Sequence, residues 1–334
     1  MQNYNFRQYP IRVHGVPFFE EKKEIYRLPK QVIEKTQMGE WVGHRCPGTR
    51  VCFRTDAEAF TVKITFQTLS LDVGMSLAGA QGAAVFIGER QNARYAGLVI
   101  PCNYETKSFD RTFQKGAVME DVTVFLPRNE WIEDVEICVD DTAVFEEPTP
   151  YLPYKPILYY GSSITEGAHA TSVFNAYNAI ISNRLNLDYY NFGFSGGAKG
   201  ELEVADYINK LDMSIFVYDY DHNAPTVEHL AKTHEPFFKR IREKHPLLPV
   251  IMMSRPDAVY DEEEKQRRDI IYQTYLNAVN GGDKNVYFID GESFVGKEGD
   301  MYWSPDTIHP NDWTFHKMAE KLEPLIMEIL RLGE

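Results

Sequence analysis

The chain has 334 residues, of which 43% are hydrophobic and 25% charged, and a formal net charge of −14. That length suits two domains better than one core, and the composition is that of a soluble globular protein. The negative balance, without a long Lys/Arg run, argues against a nucleic-acid partner, and no apolar stretch approaches the ~20 residues that span a bilayer, so no membrane partner is expected.

The opening segment, MQNYNFRQYPIRVHG, shows no basic region followed by an apolar one, so no secretory leader is read there. Cys46, Cys52, Cys102 and Cys138 form no CxxC pair and have no histidine at zinc spacing. They read as reduced, mostly buried thiols of a cytoplasmic protein. A Cys46–Cys52 disulfide is the one pairing considered.

Short β-type runs follow: Thr61–Leu69, Gly82–Glu89, Tyr95–Pro101, Asp121–Pro127 and Asp134–Asp140. In the first, Thr61, Lys63, Thr65 and Gln67 alternate with Val62, Ile64, Phe66 and Thr68, the period of a half-buried strand. No long helical pattern intervenes, which predicts an antiparallel sandwich or jelly roll over residues 1–150. The segment FEEPTPYLPYKP, Phe145 to Pro156, holds four prolines and marks a boundary, with a second domain over 151–334.

Beyond it, apolar strands alternate with amphipathic helices. Strands are predicted at PILYYG, DYYNFGF, MSIFVYDY, LPVIMMS and NVYFIDG. Helices are predicted at Val173–Leu185, EVADYIN, Glu228–His245, Glu262–Val279 and from Asp312 onward, with Pro324 expected to kink or interrupt the last. The alternation predicts an α/β domain with a parallel sheet covered on both faces, where ligands gather beyond the strands' carboxyl ends.

Those ends carry GSSIT after the first strand, NFGFSGG after the second, DYDHNAP after the third and SRPD after the fourth; SPDTIHPND precedes the last helix. In this order the blocks resemble those of the SGNH hydrolases, also called GDSL esterases, over residues 155 to 330. The resemblance implies a flavodoxin-like three-layer α/β/α fold and a hydrolytic serine. Gly161-Ser162-Ser163-Ile164 matches the first block and implies Ser163 as nucleophile. Gly196 and Asn223 match the residues that, with the Ser163 amide, form an oxyanion hole, and Asp306 and His309 match the closing Asp-x-x-His. The departure is Ser162, where the family has an acid; its hydroxyl competes with Ser163 for the nucleophile's place, and register favours Ser163.

The residue types support that chemistry. A serine hydroxyl needs an adjacent base, His309 titrates near neutral pH, and an aspartate three residues earlier can fix its tautomer. Pro310 restricts His309 to extended backbone, and Asn311 or Asp312 can cap the final helix. A β-sandwich followed by this domain also resembles two-domain carbohydrate acetyl esterases, implying an acylated carbohydrate, or another small ester, as substrate. Trp303 is a candidate sugar-stacking residue or a core residue. Arg255 and His222 are candidate substrate contacts, and His169 can reach substrate from the nucleophile loop. No metal cluster or phosphate loop is read, so no cofactor is implied; the oligomeric state is left open. Two other functions fit the same residues: a thioesterase or lysophospholipase-like acylhydrolase, and a carbohydrate-binding protein with a retired triad.

Overall fold

A computed structural model of the chain describes residues 1–299 and 301–333. The first part contains β1 (Gln2–Asn5), β2 (Arg12–His14), the short helices α1 (Phe19–Lys22), α2 (Lys30–Ile33) and α3 (Glu40–His44), β3 (Arg50–Thr55), β4 (Ala59–Phe66), α4 (Leu77–Gln81), β5 (Ala83–Ile87), β6 (Arg94–Val99), β7 (Ser108–Gln114), β8 (Glu120–Phe125), β9 (Ile132–Val139) and β10 (Phe145–Glu146). Two antiparallel sheets result, in orders β1-β9-β4-β7 and β10-β3-β8-β5-β6, with β2 on β3. The period-2 pattern of β4 holds: Phe60, Val62, Ile64 and Phe66 are buried between polar neighbours. They meet Val51, Phe53, Val85, Val122, Val124 and Ile137 in one core, the inner layer of a sandwich.

The parallel sheet begins at Ile157. Its elements are β11 (Ile157–Gly161), α5 (Ser163–Glu166), α6 (Tyr177–Leu185), β12 (Tyr189–Gly193), α7 (Leu202–Ile208), β13 (Ile215–Asp219), α8 (Val227–Lys244), β14 (Val250–Met253), α9 (Glu262–Asn280), β15 (Val286–Ile289), α10 (Glu292–Val295) and α11 (Asp312–Leu330). The strand order β12-β11-β13-β14-β15 is the 2-1-3-4-5 order of a flavodoxin-like doubly wound sheet. Alternate residues of each strand enter opposite cores. Leu158, Tyr160, Phe216, Tyr218, Val250 and Met252 pack with α7, α8 and α9. Ile157, Tyr159, Ile215, Val217, Ile251 and Met253 pack with α6 and α11. Both faces are therefore covered, as expected for strands that read as continuous apolar runs.

Pro324 lies inside α11 without interrupting it, and Pro236 is likewise carried within α8. All four cysteines are free, and only Cys46 and Cys52 are buried, with Cys102 exposed. No helix among the described residues is long and apolar enough to cross a membrane.

The sandwich is bound closely to the parallel-sheet layer. Ala84 and Phe125, on the outer face of the second antiparallel sheet, join the α6–α11 core, and Phe86 packs edge-on against Phe174 at 4.7 Å. Arg50 reaches Asp188 at 2.7 Å. Fully buried Arg27 donates to the carbonyls of Asn191 and Gly193 at 2.9 and 2.6 Å, beneath the sheet edge where the motifs converge.

Candidate active site

The turn from β11 into α5 separates the two adjacent serines by function. Ser162 is the N-cap of α5, and its hydroxyl accepts from the Ile164 amide at 3.1 Å. Ser163 is the first helical residue. Its Oγ lies 2.8 Å from His309 Nε2, so the hydroxyl that meets the imidazole is the one that register favours. Its backbone N–H belongs to the first turn, where helical amides lack an intrahelical acceptor.

His309 Nδ1 lies 2.7 Å from Asp306 Oδ2. The other carboxylate oxygen accepts the amides of His309 and Ile308 at 2.8 and 3.0 Å and the Ser304 hydroxyl at 3.1 Å. Partial burial disfavours the charge on Asp306. The His309 and Ile308 amides and the His309 ring outweigh it and hold the carboxyl well below the usual carboxylate range. The tight turn places Thr307 at φ 68°, a left-handed conformation that is costly for a β-branched residue and recurs where local strain serves a site. Asn311 caps α11 by accepting from the Thr314 amide.

Gly196 and Asn223 follow β12 and β13, the two neighbours of β11 in the sheet. Gly196 adopts φ 67°, which explains the glycine; a Cβ there would meet no protein atom within 4 Å. Asn223 Nδ2 donates to the Phe194 carbonyl at 2.9 Å, tying the third motif loop to the second. An amide nitrogen carries two hydrogens, so this bond takes only one of them.

Of the three candidate substrate residues, Trp303 enters a core, whereas His222 and Arg255 lie together, and His222 feels the charges of His309 and Asp306. Trp303 is 5% exposed and belongs to the α6–α11 core, whereas Tyr302 beside it is 63% exposed. Tyr302, Trp313 and Ser304 line a cavity of about 900 Å³. Arg255 is buried and its guanidinium contacts Asp257, Glu264 and His222 Nδ1. It orients His222 instead of offering a cation to solvent. His222 is mostly buried, and that burial, with the Arg255 charge, lowers its pKa to about 4.

Two features escaped the sequence. Glu166, three residues after Ser163, is buried against the guanidiniums of Arg27, Arg45 and Arg128 at 3.4, 3.3 and 3.3 Å. Its partners are 38 to 139 residues away, so spacing carries no signal of them. His169, the possible substrate contact, reaches the triad itself: Nε2 stands 3.4 Å from Asp306 Oδ2. His169, Asp306 and His309 thus bring three ligand-type atoms within 4.8 Å of one another, of which the His309–Asp306 pair is joined by a hydrogen bond.

Two family profiles match the chain: the GDSL-like lipase/acylhydrolase family over residues 154–327, and the N-terminal region of SGNH-hydrolase-type esterases over residues 1–145. No curated protein matches it. Among solved structures, one from Bacteroides ovatus described as a GDSL-like lipase is similar at 23% identity and a TM-score of 0.87, covering 99% of this chain and 98% of that one. A salicylyl-acyltransferase, SsfX3, from a tetracycline biosynthetic pathway is similar at 18% identity and a TM-score of 0.80, with 99% and 98% covered. A family two carbohydrate esterase from Clostridium thermocellum, in complex with cellohexaose, is similar at 16% identity and a TM-score of 0.64, with 86% and 94% covered. At these identities the likeness speaks for the fold of the whole chain.

Proposed function

The chain belongs to the GDSL-like lipase/acylhydrolase family, and we propose that this ester hydrolase removes a short acyl group, foremost acetyl, from a carbohydrate through Ser163, His309 and Asp306. The observation that carries the proposal is the relay from Ser163 Oγ to His309 at 2.8 Å and from His309 to Asp306 at 2.7 Å.

In this reading His309 Nε2 takes the Ser163 proton as Oγ attacks the ester carbonyl. Asp306 holds the Nδ1–H tautomer and stabilises the imidazolium. The oxyanion is met by the Ser163 and Gly196 amides and the free hydrogen of Asn223. One such donor lowers the barrier by about 3–4 kcal/mol. Collapse expels the sugar alkoxide, which takes its proton from the imidazolium. Water, activated by the same base, then releases the acid and restores the serine.

The carbohydrate half of the reading is supported by the architectural likeness to a sugar-bound esterase. It is also supported by the position of the sandwich. We take residues 1–150 as a domain that borders the site through its 67–76 loop, since a Cβ on Gly74 would lie 3.7 Å from His169 Cε1. The test is acetate release from a panel of acetylated oligosaccharides, beside chromogenic esters from acetyl to decanoyl. The wild type should prefer acetyl, and Ser163→Ala and His309→Ala should each lose at least about 10³-fold in kcat with the fold retained. Preference for decanoyl would instead assign a long-chain acylhydrolase. Failure of a serine-directed phosphonate to label Ser163 would assign a binding protein.

A further inference from the structure

His169 lies outside the three-residue relay but touches two of its members. The Gly167 and Ala168 amides both fold back onto the Ser163 carbonyl, at 3.1 and 2.9 Å, and the next residue, His169, is turned to φ 66°. A non-glycine residue held in that region carries local strain, which marks places where surrounding structure fixes a side chain for a purpose. Here the fixed imidazole stacks on His309, with centroids 5.0 Å apart and planes 24° off parallel. Its Nε2 is 3.4 Å from Asp306 Oδ2, the same oxygen that His309 Nδ1 meets at 2.7 Å. Gly74 of the 67–76 loop lies near it, where a Cβ would be 3.7 Å from the ring.

We propose that His169 is a positioning residue of this hydrolase: its Nε2 edge makes a polar contact with the Asp306 carboxylate while its ring face pins His309, keeping His309 Nε2 aimed at Ser163. The inference rests on the serine-esterase reading. It requires the tautomer with the proton on Nε2, since a bare nitrogen would repel the carboxylate. It also requires a neutral ring, because a second imidazolium would oppose the one formed on His309. Burial lowers the pKa of His169; His309 and Arg128 act in the same sense, and Asp306 and Asp72 oppose them. Those are the charged and titratable groups that face it, from α11's preceding loop, from the segment after β8 and from the 67–76 loop. Near neutral pH the ring is therefore uncharged.

A consequence follows for the base. A second N–H facing Oδ2 at 3.4 Å draws charge from the carboxylate that stabilises the His309 imidazolium. Removing that donor leaves Asp306 a stronger partner, so His309 keeps its proton to higher pH, and the acid limb of kcat/KM moves upward.

Three variants separate donor from ring. His169→Gln keeps an N–H, His169→Phe keeps a ring without a donor, and His169→Ala keeps neither. On a small chromogenic acetate we expect kcat to fall about 10-fold in His169→Phe and up to about 100-fold in His169→Ala, with KM changed less than about 3-fold. The acid limb should rise by about half a pH unit in both, and stay in place in His169→Gln. Titration of the His309 ring by NMR should show the same upward shift without turnover. An acid limb and His309 titration that stay at wild-type values in all three variants overturn the proposal, as does a rate loss that merely follows a lower Tm. If the ring titration shifts but the wild type hydrolyses no ester, the positioning role stands and the esterase reading falls.

Discussion

Asp306 and Asp219 are both placed at the carboxyl edge of the parallel sheet, close to the nucleophile helix, and are held in opposite states. Asp219, the last residue of β13, is 2% exposed. It accepts only hydroxyls, from Thr165 at 2.7 Å and Tyr177 at 3.1 Å, and it faces Asp221. Burial, aided by Asp221, pushes it up to about 7 against those two bonds. Asp306 is partly open to solvent and gathers two amides, a hydroxyl and an imidazole, which hold it ionised. The difference teaches that N–H donors and solvent, and not nearness to Ser163, decide which carboxyl stays ionised. Glu166 is a third case: as buried as Asp219, but matched by three guanidiniums.

The sharpest way to break this contrast is Asp306→Asn. The amide would present the wrong hydrogen-bonding partner to His309 Nδ1, and kcat should fall about 10³- to 10⁴-fold with Tm nearly unchanged. A loss under tenfold, measured on the preferred ester, would mean that the carboxylate has no part in orienting the base. Next is Glu166→Ala. It leaves two buried cations, Arg27 and Arg128, and the half-buried Arg45 without their counter-ion beneath α5, and unfolding by urea should show a loss of about 3–5 kcal/mol. If stability is unaltered, water must reach those arginines, and the burial that distinguishes Glu166 is not realised in solution.

Asp219→Asn probes the opposite state. The sign follows from a raised native pKa. Between about pH 4 and pH 7 the unfolded chain releases the proton while the native chain keeps it, so this residue lowers stability progressively as pH rises and by a constant amount above pH 7. Asparagine retains a carbonyl for Thr165 and Tyr177 and has no proton to lose. The variant should match the wild type near pH 4 and exceed it by about 2–3 kcal/mol at pH 8, allowing for relaxation around a buried group. Equal stability across that range in urea titrations would show that Asp219 is ionised in the native chain.

The relay was legible in the sequence because a parallel sheet sends every strand's carboxyl end to one edge, so motifs far apart in the chain meet there. The helix and strand order of the second part was legible for the same reason that its two cores exist: apolar runs alternate with amphipathic segments. In the sandwich, β4 announced itself by alternation. β3 did not, because five of its six residues are buried, and β7 did not, because five of its seven are exposed. The four-residue helices α1 and α2 are shorter than the pattern that reveals a helix. The surroundings of Arg255 and Trp303 were hidden for another reason. Residue type says that Arg255 can bind an anion or that Trp303 can stack on a sugar, but not that Asp257 and Glu264 already occupy the one or that a core encloses the other.

The smallest effect concerns Ser162, where the chain departs from its family. The side chain caps α5 through the Ile164 amide, a duty an aspartate would perform equally well, so the substitution keeps the cap and removes a negative charge beside the nucleophile. Ser162→Ala should therefore cost about 1 kcal/mol of stability and reduce kcat less than about threefold, since Ser163 Oγ keeps its own bond to His309. Ser162→Asp keeps the cap but sets a carboxylate next to the Ser163 amide, where the developing oxyanion is met. Its stability should equal the wild type while its kcat falls below that of Ser162→Ala. A large loss of activity in Ser162→Ala, with Ser163 still labelled by a phosphonate, would mean that the cap does more than hold the turn: the Ser163 amide would then depend on it to stay aimed at the oxyanion.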